Sequence, residues 1–243
     1  MRLPSLTLVV PARNEEACLP STLASSGEAS RRYRAAGGTV ETIVSDNDSS
    51  DATAEIALAC GARVTRERRR SISAVRNAGA AAAAGEALVF CDADTRISSN
   101  LMLEVGRTLR AGRYVGGGLV RVRTSRISPG ILASASLLAP LVLRNGLAGV
   151  VFWTWRETFR ELGGFDPDIL VAEDVHFALR LRSLGRQRGL RYGFLPRASA
   201  VTSARRFDAL GDWWLVRNPR ILRDIYAARV REEDAWRTHY AGR

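Results

Sequence analysis

The chain carries the stretch ALVFCDAD at residues 87–94, an apolar run followed by two acids one residue apart. A short apolar run of this kind is typical of a buried strand in a parallel sheet. Ligands of open α/β sheets collect at the carboxyl ends of the strands, where Asp92 and Asp94 would lie. Carboxylate oxygens are the ligands that hard divalent cations prefer. The stretch therefore predicts a strand that leads into a cation site, although paired acids in a turn also cap helices.

Strand-like and helix-like segments alternate on both sides of this stretch. Strands are predicted at 6–10, 40–45, 63–65, 88–91, 115–122, 149–154 and 192–195. Helices are predicted at 16–36, 51–60, 71–84, 100–111, 131–143 and 174–184, with Gly85 as a C-cap and an arginine-rich helical region at the end. This alternation predicts an α/β fold with a mostly parallel sheet and helices on both faces.

Composition limits the partners that the chain can have. Of its 243 residues, 46% are hydrophobic and 25% charged, which suits one domain with a sizeable core. The formal net charge is +11, and all 36 basic residues are arginine. Because arginine pairs bidentately with phosphate, this bias favours a diphosphate substrate, a lipid phosphate or an anionic membrane surface. Nucleic acid is disfavoured, since the arginines are scattered and no known nucleic-acid-binding motif accompanies them.

The expected location is the cytoplasm. Cys18, Cys60 and Cys91 form no CxxC pair, which predicts buried reduced thiols of a cytosolic protein. The N-terminus enters a strand without the apolar segment of a signal peptide. The longest apolar stretch, 131–143, is shorter than the roughly 20 residues that a bilayer span needs. Besides a cytoplasmic location, the sequence leaves open an association with the inner face of the cell membrane.

Other polar residues sit where a ligand would be expected. Asp46 ends the second predicted strand without starting a helix, so we expect it to accept hydrogen bonds from a base or a ribose. Asp51 is instead predicted as the N-cap of the next helix. Arg76 lies in the helix before the Asp-x-Asp strand and could reach a diphosphate there, although a solvated arginine is the default. Arg205 and Arg206 could clamp a phosphate or form a solvated basic turn.

Six short motifs follow one another in a familiar order. They are VPARNEE at 10–16, DNDSSDAT at 46–53, RNAG at 76–79, DAD at 92–94, GGFD at 163–166 and ED at 173–174. Together they resemble glycosyltransferase family 2, nucleotide-sugar enzymes of the GT-A fold. The resemblance spans about residues 5–207 and implies a Rossmann-like, mostly parallel central sheet with a smaller acceptor-side sheet and helix region.

The resemblance implies a single GT-A domain over 1–243 in three parts. Residues of about 1–122 would form the nucleotide-sugar and metal half, and those of about 123–207 the acceptor and catalytic-base half. Residues of about 208–243 would form a C-terminal helical tail.

The resemblance also implies roles for matched residues. The nucleotide pocket would be shaped by Pro11, Ala12, Arg13 and Glu15, with Asp46 against the base or ribose and Asp92 near the ribose. Asp94 would hold Mn2+ or Mg2+ against the diphosphate, where the metal acts as a Lewis acid. In the Glu173-Asp174 pair, Asp174 would be the general base that deprotonates the acceptor hydroxyl for inverting transfer.

Two departures from the family narrow the expected activity. Some members carry a metal-binding histidine on the strand after the Glu-Asp helix, where this chain has ASAVT at 198–202. No QxxRW motif follows, which argues against processive synthesis. The sequence thus predicts metal-dependent, inverting transfer of one sugar from a nucleoside-diphosphate sugar to a small-molecule, polysaccharide-precursor or lipid-linked acceptor. The alternatives are a retaining transferase of the same fold and a catalytically silent sugar-nucleotide or membrane-surface binding protein.

Overall fold

A computed structural model describes residues 2–145, 150–169 and 172–227. With elements numbered in chain order, its central sheet contains β1 (Leu6–Ala12), β2 (Val40–Asp46), β3 (Arg63–Arg66), β4 (Ala87–Cys91), β6 (Tyr114–Gly118), β8 (Val151–Trp155) and β9 (Arg191–Phe194). Their order across the sheet is β3-β2-β1-β4-β8-β6-β9. A second sheet contains β5 (Thr95–Ile97), β7 (Val122–Thr124) and β10 (Ala200–Thr202), in the order β5-β10-β7.

The central sheet is mostly parallel, as the alternation predicts. β3, β2, β1 and β4 run parallel to one another, and β8 is antiparallel to both β4 and β6. Ala12 at the end of β1 lies opposite Asp46 at the end of β2. The carboxyl ends of these strands therefore share one edge, where the motifs that follow them meet.

Helices cover both faces of this sheet. One face carries α1 (Leu19–Ala35), α2 (Thr53–Ala59) and α4 (Leu101–Arg110), and the other carries α3 (Ile72–Ala81), α6 (Arg156–Glu161) and α7 (Glu173–Gln187). Buried side chains alternate between the two layers, so Val10 joins the first apolar cluster and Val9 the second. The chain also forms α5 (Pro129–Asn145), α8 (Arg205–Leu210), α9 (Trp214–Arg217) and α10 (Pro219–Ala227).

One predicted strand is divided between the two sheets. The strand predicted over 115–122 is divided into β6 in the central sheet and β7 in the small sheet. β6 contributes three glycines to its sheet, and a Cβ added at Gly117 would lie 2.6 Å from the Trp153 ring. Trp153 is fully buried there and is a core residue.

Three local predictions were wrong. α3 ends at Ala81 rather than at Gly85, whose absent Cβ instead allows close contact with the β1 backbone. The N-cap residue of α2 is Ala52 and not Asp51, which lies one position earlier. The Asp51 carboxylate still accepts a hydrogen bond from the Thr53 amide at 3.0 Å. The cysteines are free but not uniformly buried, since Cys60 is exposed.

Residues 228–243 of the predicted tail lie outside the described residues. In the described part of the chain, no helix is long and apolar enough to cross a membrane.

Candidate active site

The loops after β1 and β2 are joined by hydrogen bonds at the carboxyl edge of the sheet. Asn14, with a φ of 50°, accepts a hydrogen bond from the Ser50 amide at 2.9 Å. Its own amide donates to the Ser49 hydroxyl at 3.0 Å. Asp46 is 3% exposed, and the contacts of its two carboxylate oxygens with the Ser49 amide are long, at 3.4 Å each. The Asp46 carboxylate therefore keeps capacity to accept hydrogen bonds from a ligand.

Arg13 brings an unsatisfied donor to the same edge. Its Nη1 is buried and has no hydrogen-bond partner among the residues that the structure describes. Leaving such a donor unpaired costs about 1–3 kcal/mol, and an acceptor on a bound ligand would remove that cost. Pro11 and Ala12, which are buried at the end of β1, contribute main chain beside it. These observations agree with a nucleotide pocket at this position.

Asp94 belongs to a cluster with Glu15 and Arg205, although these residues are far apart in the sequence. Arg205 Nη2 donates to the two carboxylate oxygens of Glu15 at 2.8 and 2.7 Å and lies 3.4 Å from Asp94 Oδ2. The Thr202 hydroxyl donates to Asp94 Oδ1 at 3.3 Å. Glu15 is only 2% exposed, whereas the Arg205 side chain is 33% exposed. Buried Glu15 thus fixes a guanidinium that still faces solvent beside Asp94.

The negative charge of Glu15 stabilises the positive charge of Arg205. Burial opposes the charge on Arg205, but the hydrogen bond and the negative charge of Glu15 hold the pKa of Arg205 above its ordinary value. An arginine in this state stays cationic at any ordinary pH, so it is available to pair with phosphate oxygens.

The donor atoms around Asp94 fit a hard divalent cation that is shared with a substrate. Within residues 2–145, 150–169 and 172–227, no group of three or more His, Cys, Asp or Glu side chains could hold a metal ion. Mg2+ and chemically similar cations keep several waters and are commonly held by one or two carboxylates together with substrate phosphates. Asp94, whose side chain is 12% exposed, can supply one such carboxylate.

Asp92 belongs to a second cluster, which is built around Arg76. Arg76 Nη2 donates to Asp92 Oδ1 at 2.9 Å, and Arg76 Nη1 donates to Glu173 Oε1 at 2.6 Å. The Arg76 side chain is 4% exposed, and its guanidinium carbon lies 5.3 Å from the centre of the Phe165 ring. Asp92 is 30% exposed and keeps one face towards solvent. Arg76 therefore connects the strand-end acid to the first turn of α7.

The acids at the start of α7 differ in their surroundings. Burial raises the pKa of Glu173 to about 7, and the negative charge of Asp174 adds to this rise, against the opposing effect of Arg76. Asp174 is partly exposed, and its Oδ1 accepts a hydrogen bond from the Val175 amide at 2.8 Å. The Glu173 carboxylate is thus engaged by Arg76, whereas the Asp174 carboxylate caps the backbone of its own helix turn.

The Gly163–Asp166 turn is attached to α3 by Asn77. The Asn77 side chain donates to the Phe165 carbonyl at 2.8 Å and accepts from the Phe165 amide at 2.9 Å. Gly164 has a φ of 70°, and a Cβ at this position would lie 2.5 Å from Asn77 Oδ1. The turn thus places Phe165 against Arg76, which gives this motif a structural part in the site.

The structure brings the predicted site residues into two clusters that share the Asp-x-Asp motif. Asp94 joins Glu15 and Arg205, whereas Asp92 joins Arg76 and Glu173. Arg206 is exposed next to the first cluster. The sequence did not single out Thr202, and it did not predict that Asn77 holds the Gly163–Asp166 turn. No local signal could have paired Glu15 with Arg205, which is 190 positions away.

Comparison with known proteins agrees with this arrangement. The family described as Glycosyl transferase family 2 matches residues 7–135, more than half of the chain, which therefore belongs to this family. A 4,4'-diaponeurosporenoate glycosyltransferase of Staphylococcus haemolyticus is 37% identical over 107 residues, covering 41% of this chain and 27% of that protein. The chain thus spans about a quarter of that relative's length.

Solved structures show the same fold at low identity. The mannosyltransferase PcManGT of Pyrobaculum calidifontis, in complex with GDP-Man and Mn2+, matches with a TM-score of 0.66 and 20% identity, covering 100% of this chain and 71% of that one. S. aureus TarS 1–349 in complex with UDP matches with a TM-score of 0.65 and 15% identity, over 93% of this chain and 71% of that one. These likenesses confirm the predicted GT-A fold.

Proposed function

We propose that this protein transfers a single sugar from a nucleoside-diphosphate sugar to an acceptor hydroxyl, with inversion and with a divalent metal. The observation that carries the proposal is the division of the Asp-x-Asp motif, in which Asp94 faces the Arg205 cation and Asp92 is held by Arg76. A donor diphosphate needs both a metal carboxylate and a nearby cation, and this edge of the sheet supplies both.

The donor would bind along the carboxyl ends of β1, β2 and β4. Asp46 and the unpaired Nη1 of Arg13 suit the base and the ribose, because each has free hydrogen-bonding capacity at the sheet edge. Pro11, Ala12 and Glu15 would shape the same pocket, and the exposed side of Asp92 would face the ribose. Binding in this crevice is the rule for open α/β sheets.

The diphosphate would lie beside Asp94 and Arg205. Arg205 would form charge-assisted hydrogen bonds to its oxygens while buried Glu15 keeps the guanidinium in place. Asp94 would hold Mn2+ or Mg2+, which when bound neutralises negative charge on the leaving nucleoside diphosphate. Exposed Arg206 would add a second phosphate contact. The direct contact between Arg76 and the diphosphate stays a prediction. In the structure, both Nη atoms of Arg76 donate to carboxylates.

Asp174 would accept the proton of the acceptor hydroxyl as that oxygen attacks the sugar. Its carboxylate is partly exposed in the first turn of α7. Glu173 beside it is buried against Arg76, so its part would be to position this turn. Proton removal by a positioned carboxylate typically contributes about 10²–10⁴-fold to the rate.

The proposal is tested with two variants and a matched surface control. Asp174→Asn should lower turnover at least about a hundredfold and leave donor affinity nearly unchanged. Asp94→Asn should weaken Mn2+-dependent binding of the donor nucleotide, measured by thermal shift with a series of nucleoside diphosphates. Glu28→Gln, on the exposed face of α1, should change neither quantity. Full turnover in Asp94→Asn with added Mn2+ would refute the metal assignment, and proton NMR of the product's anomeric centre separates inversion from retention.

For the acceptor we favour a lipid-linked molecule at an anionic membrane surface. The net charge of +11 favours contact with anionic lipids. The region around α5, α9 and α10 exposes large apolar side chains, among them Leu132, Trp213 and Tyr226. Flotation with anionic vesicles over a salt series tests this contact. Binding lost at moderate salt indicates surface electrostatics alone, whereas salt-resistant binding indicates inserted apolar side chains.

A further inference from the structure

A cavity of about 360 Å3 opens on the small sheet, away from the Asp94 cluster. Three arginines line it, Arg96, Arg123 and Arg126, together with the residues between the last two. Val201 of β10 and Ile127 complete its lining. Side chains alternate along a strand, so Val201 points to the face opposite that of Thr202, whose hydroxyl contacts Asp94. Val201, Arg96 and Arg123 therefore share the face of the small sheet opposite to the contact between Thr202 and Asp94.

Strand register places two of these arginines on either side of Val201. Val201 lies opposite Arg96 in the β10–β5 pair and opposite Arg123 in the β10–β7 pair. Neighbouring strands are about 4.8 Å apart, so the two arginine Cα atoms lie about 10 Å from each other across the sheet. Their side chains are long enough to converge on one anion between them.

The charge of the cavity is positive because its arginines outnumber the nearby acids. Arg126 Nη2 lies 2.7 Å from Asp208 and 2.6 Å from Asp212, so these three side chains together carry one net negative charge. Among the described residues, no acid forms an ion pair with Arg96 or Arg123, and both side chains are exposed. The three arginines and two carboxylates described here therefore leave one net positive charge at the cavity, carried by Arg96 and Arg123.

Apolar side chains continue from the edge of this cavity. Ile127 lines it and is 66% exposed. α5 begins two residues later at Pro129 and exposes Leu132, and it packs against α9, which is preceded by Trp213, 44% exposed. A cationic recess bordered by exposed aliphatic and aromatic residues matches the layers of a membrane surface, where phosphates lie next to the acyl region.

We propose that the Arg96–Arg123 cavity binds the headgroup phosphate of an anionic membrane lipid, while Ile127, Leu132 and Trp213 enter the interfacial layer. Arginine provides parallel N–H donors that suit phosphate oxygens. The proposal rests on the membrane contact inferred above, to which it gives a location. It does not involve the residues proposed to bind the nucleotide or to accept the proton.

The test uses the full chain and vesicles of phosphatidylcholine with or without phosphatidylglycerol. Removing two juxtamembrane arginines in Arg96→Gln/Arg123→Gln should weaken binding to the anionic vesicles about thirtyfold. The matched control, Arg160→Gln/Arg186→Gln, removes the same charge from exposed positions on α6 and α7 and should weaken it about twofold or less. Ile127→Ser/Leu132→Ser should make the remaining binding sensitive to moderate salt.

The outcomes separate this site from the other proposals. Equal losses in the two arginine pairs would overturn it in favour of diffuse electrostatics. Binding of glycerol phosphate, measured by calorimetry, without any vesicle binding would also overturn it, because the cavity would then recognise a free phosphate. Donor-nucleotide stabilisation should be unchanged in Arg96→Gln/Arg123→Gln, so a failure of the lipid site and a failure of the transferase proposal are read from different measurements.

Discussion

Replacing Arg76 with methionine gives the sharpest test of how the site is held together. The change keeps an unbranched side chain and removes the cation that bridges Asp92 and Glu173. Arg76 is 4% exposed and Glu173 12% exposed, so water cannot readily replace the lost hydrogen bonds to Glu173. Arg76 also carries a pKa above its ordinary value, because the charges of Asp92 and Glu173 outweigh its burial. The variant would therefore leave two carboxylates without their counter-charge.

The expected loss of stability follows from this burial. Removing one partner of a buried ion pair costs about 3–5 kcal/mol. The lower end applies here, because Asp92 is 30% exposed and because Glu173, with a pKa of about 7, can take up a proton. A loss of about 3 kcal/mol corresponds to a decrease of about 6–12 °C in Tm for a chain of this size.

Urea and thermal unfolding of the purified variant measure this loss. Arg160→Met, at an exposed position on α6, should stay within about 0.5 kcal/mol of the parent protein. Adding Glu173→Gln to Arg76→Met should recover at least about 1 kcal/mol, because the second change removes the unpaired buried carboxylate. A loss below about 1 kcal/mol in Arg76→Met, or no recovery in the double variant, would refute the role of Arg76 as a buried bridge.

Three further expectations concern the same residues and can be measured on the same protein. Glu173 has a folded pKa of about 7 against an ordinary 4.5, so the folded state binds more protons between these values and its free energy of unfolding should fall as the pH rises through that window. Glu173→Gln should remove this fall in urea titrations, and an unchanged slope would assign it to another group. Gly164→Ala should cost about 2–3 kcal/mol, because it adds a Cβ at positive φ and displaces a hydrogen bond of Asn77, whereas Gly163→Ala, also at positive φ but in open space, should cost about 1–2 kcal/mol. Arg205→Gln should tighten Mn2+ binding in the absence of nucleotide, followed by electron paramagnetic resonance, and should weaken nucleoside-diphosphate binding about tenfold; the opposite signs would separate Arg205 from the diphosphate.

The elements that the sequence predicted best are those whose apolar pattern is fixed by the chain itself. β4 is buried throughout, as the run before Asp92 indicates, and the alternation of strands and helices was sufficient for a mostly parallel sheet. The motif order was sufficient to predict the family and the GT-A fold. Helix ends were less predictable, because Gly85 is required by contact with β1 and not by a helix cap.

The sequence by itself determined which chemical groups stand at the ends of elements: the Asp-x-Asp pair and Asp46 after strands, and the Glu173-Asp174 pair at the start of a helix. Only the tertiary structure decided how these groups are divided. It directs Asp92 to buried Arg76 and Asp94 to Arg205, and it fixes Arg205 with Glu15 across 190 positions of chain. The physical reason is that hydrophobic periodicity is a local property of the chain, whereas the pairing of charges depends on which segments packing brings together and on how much water remains between them.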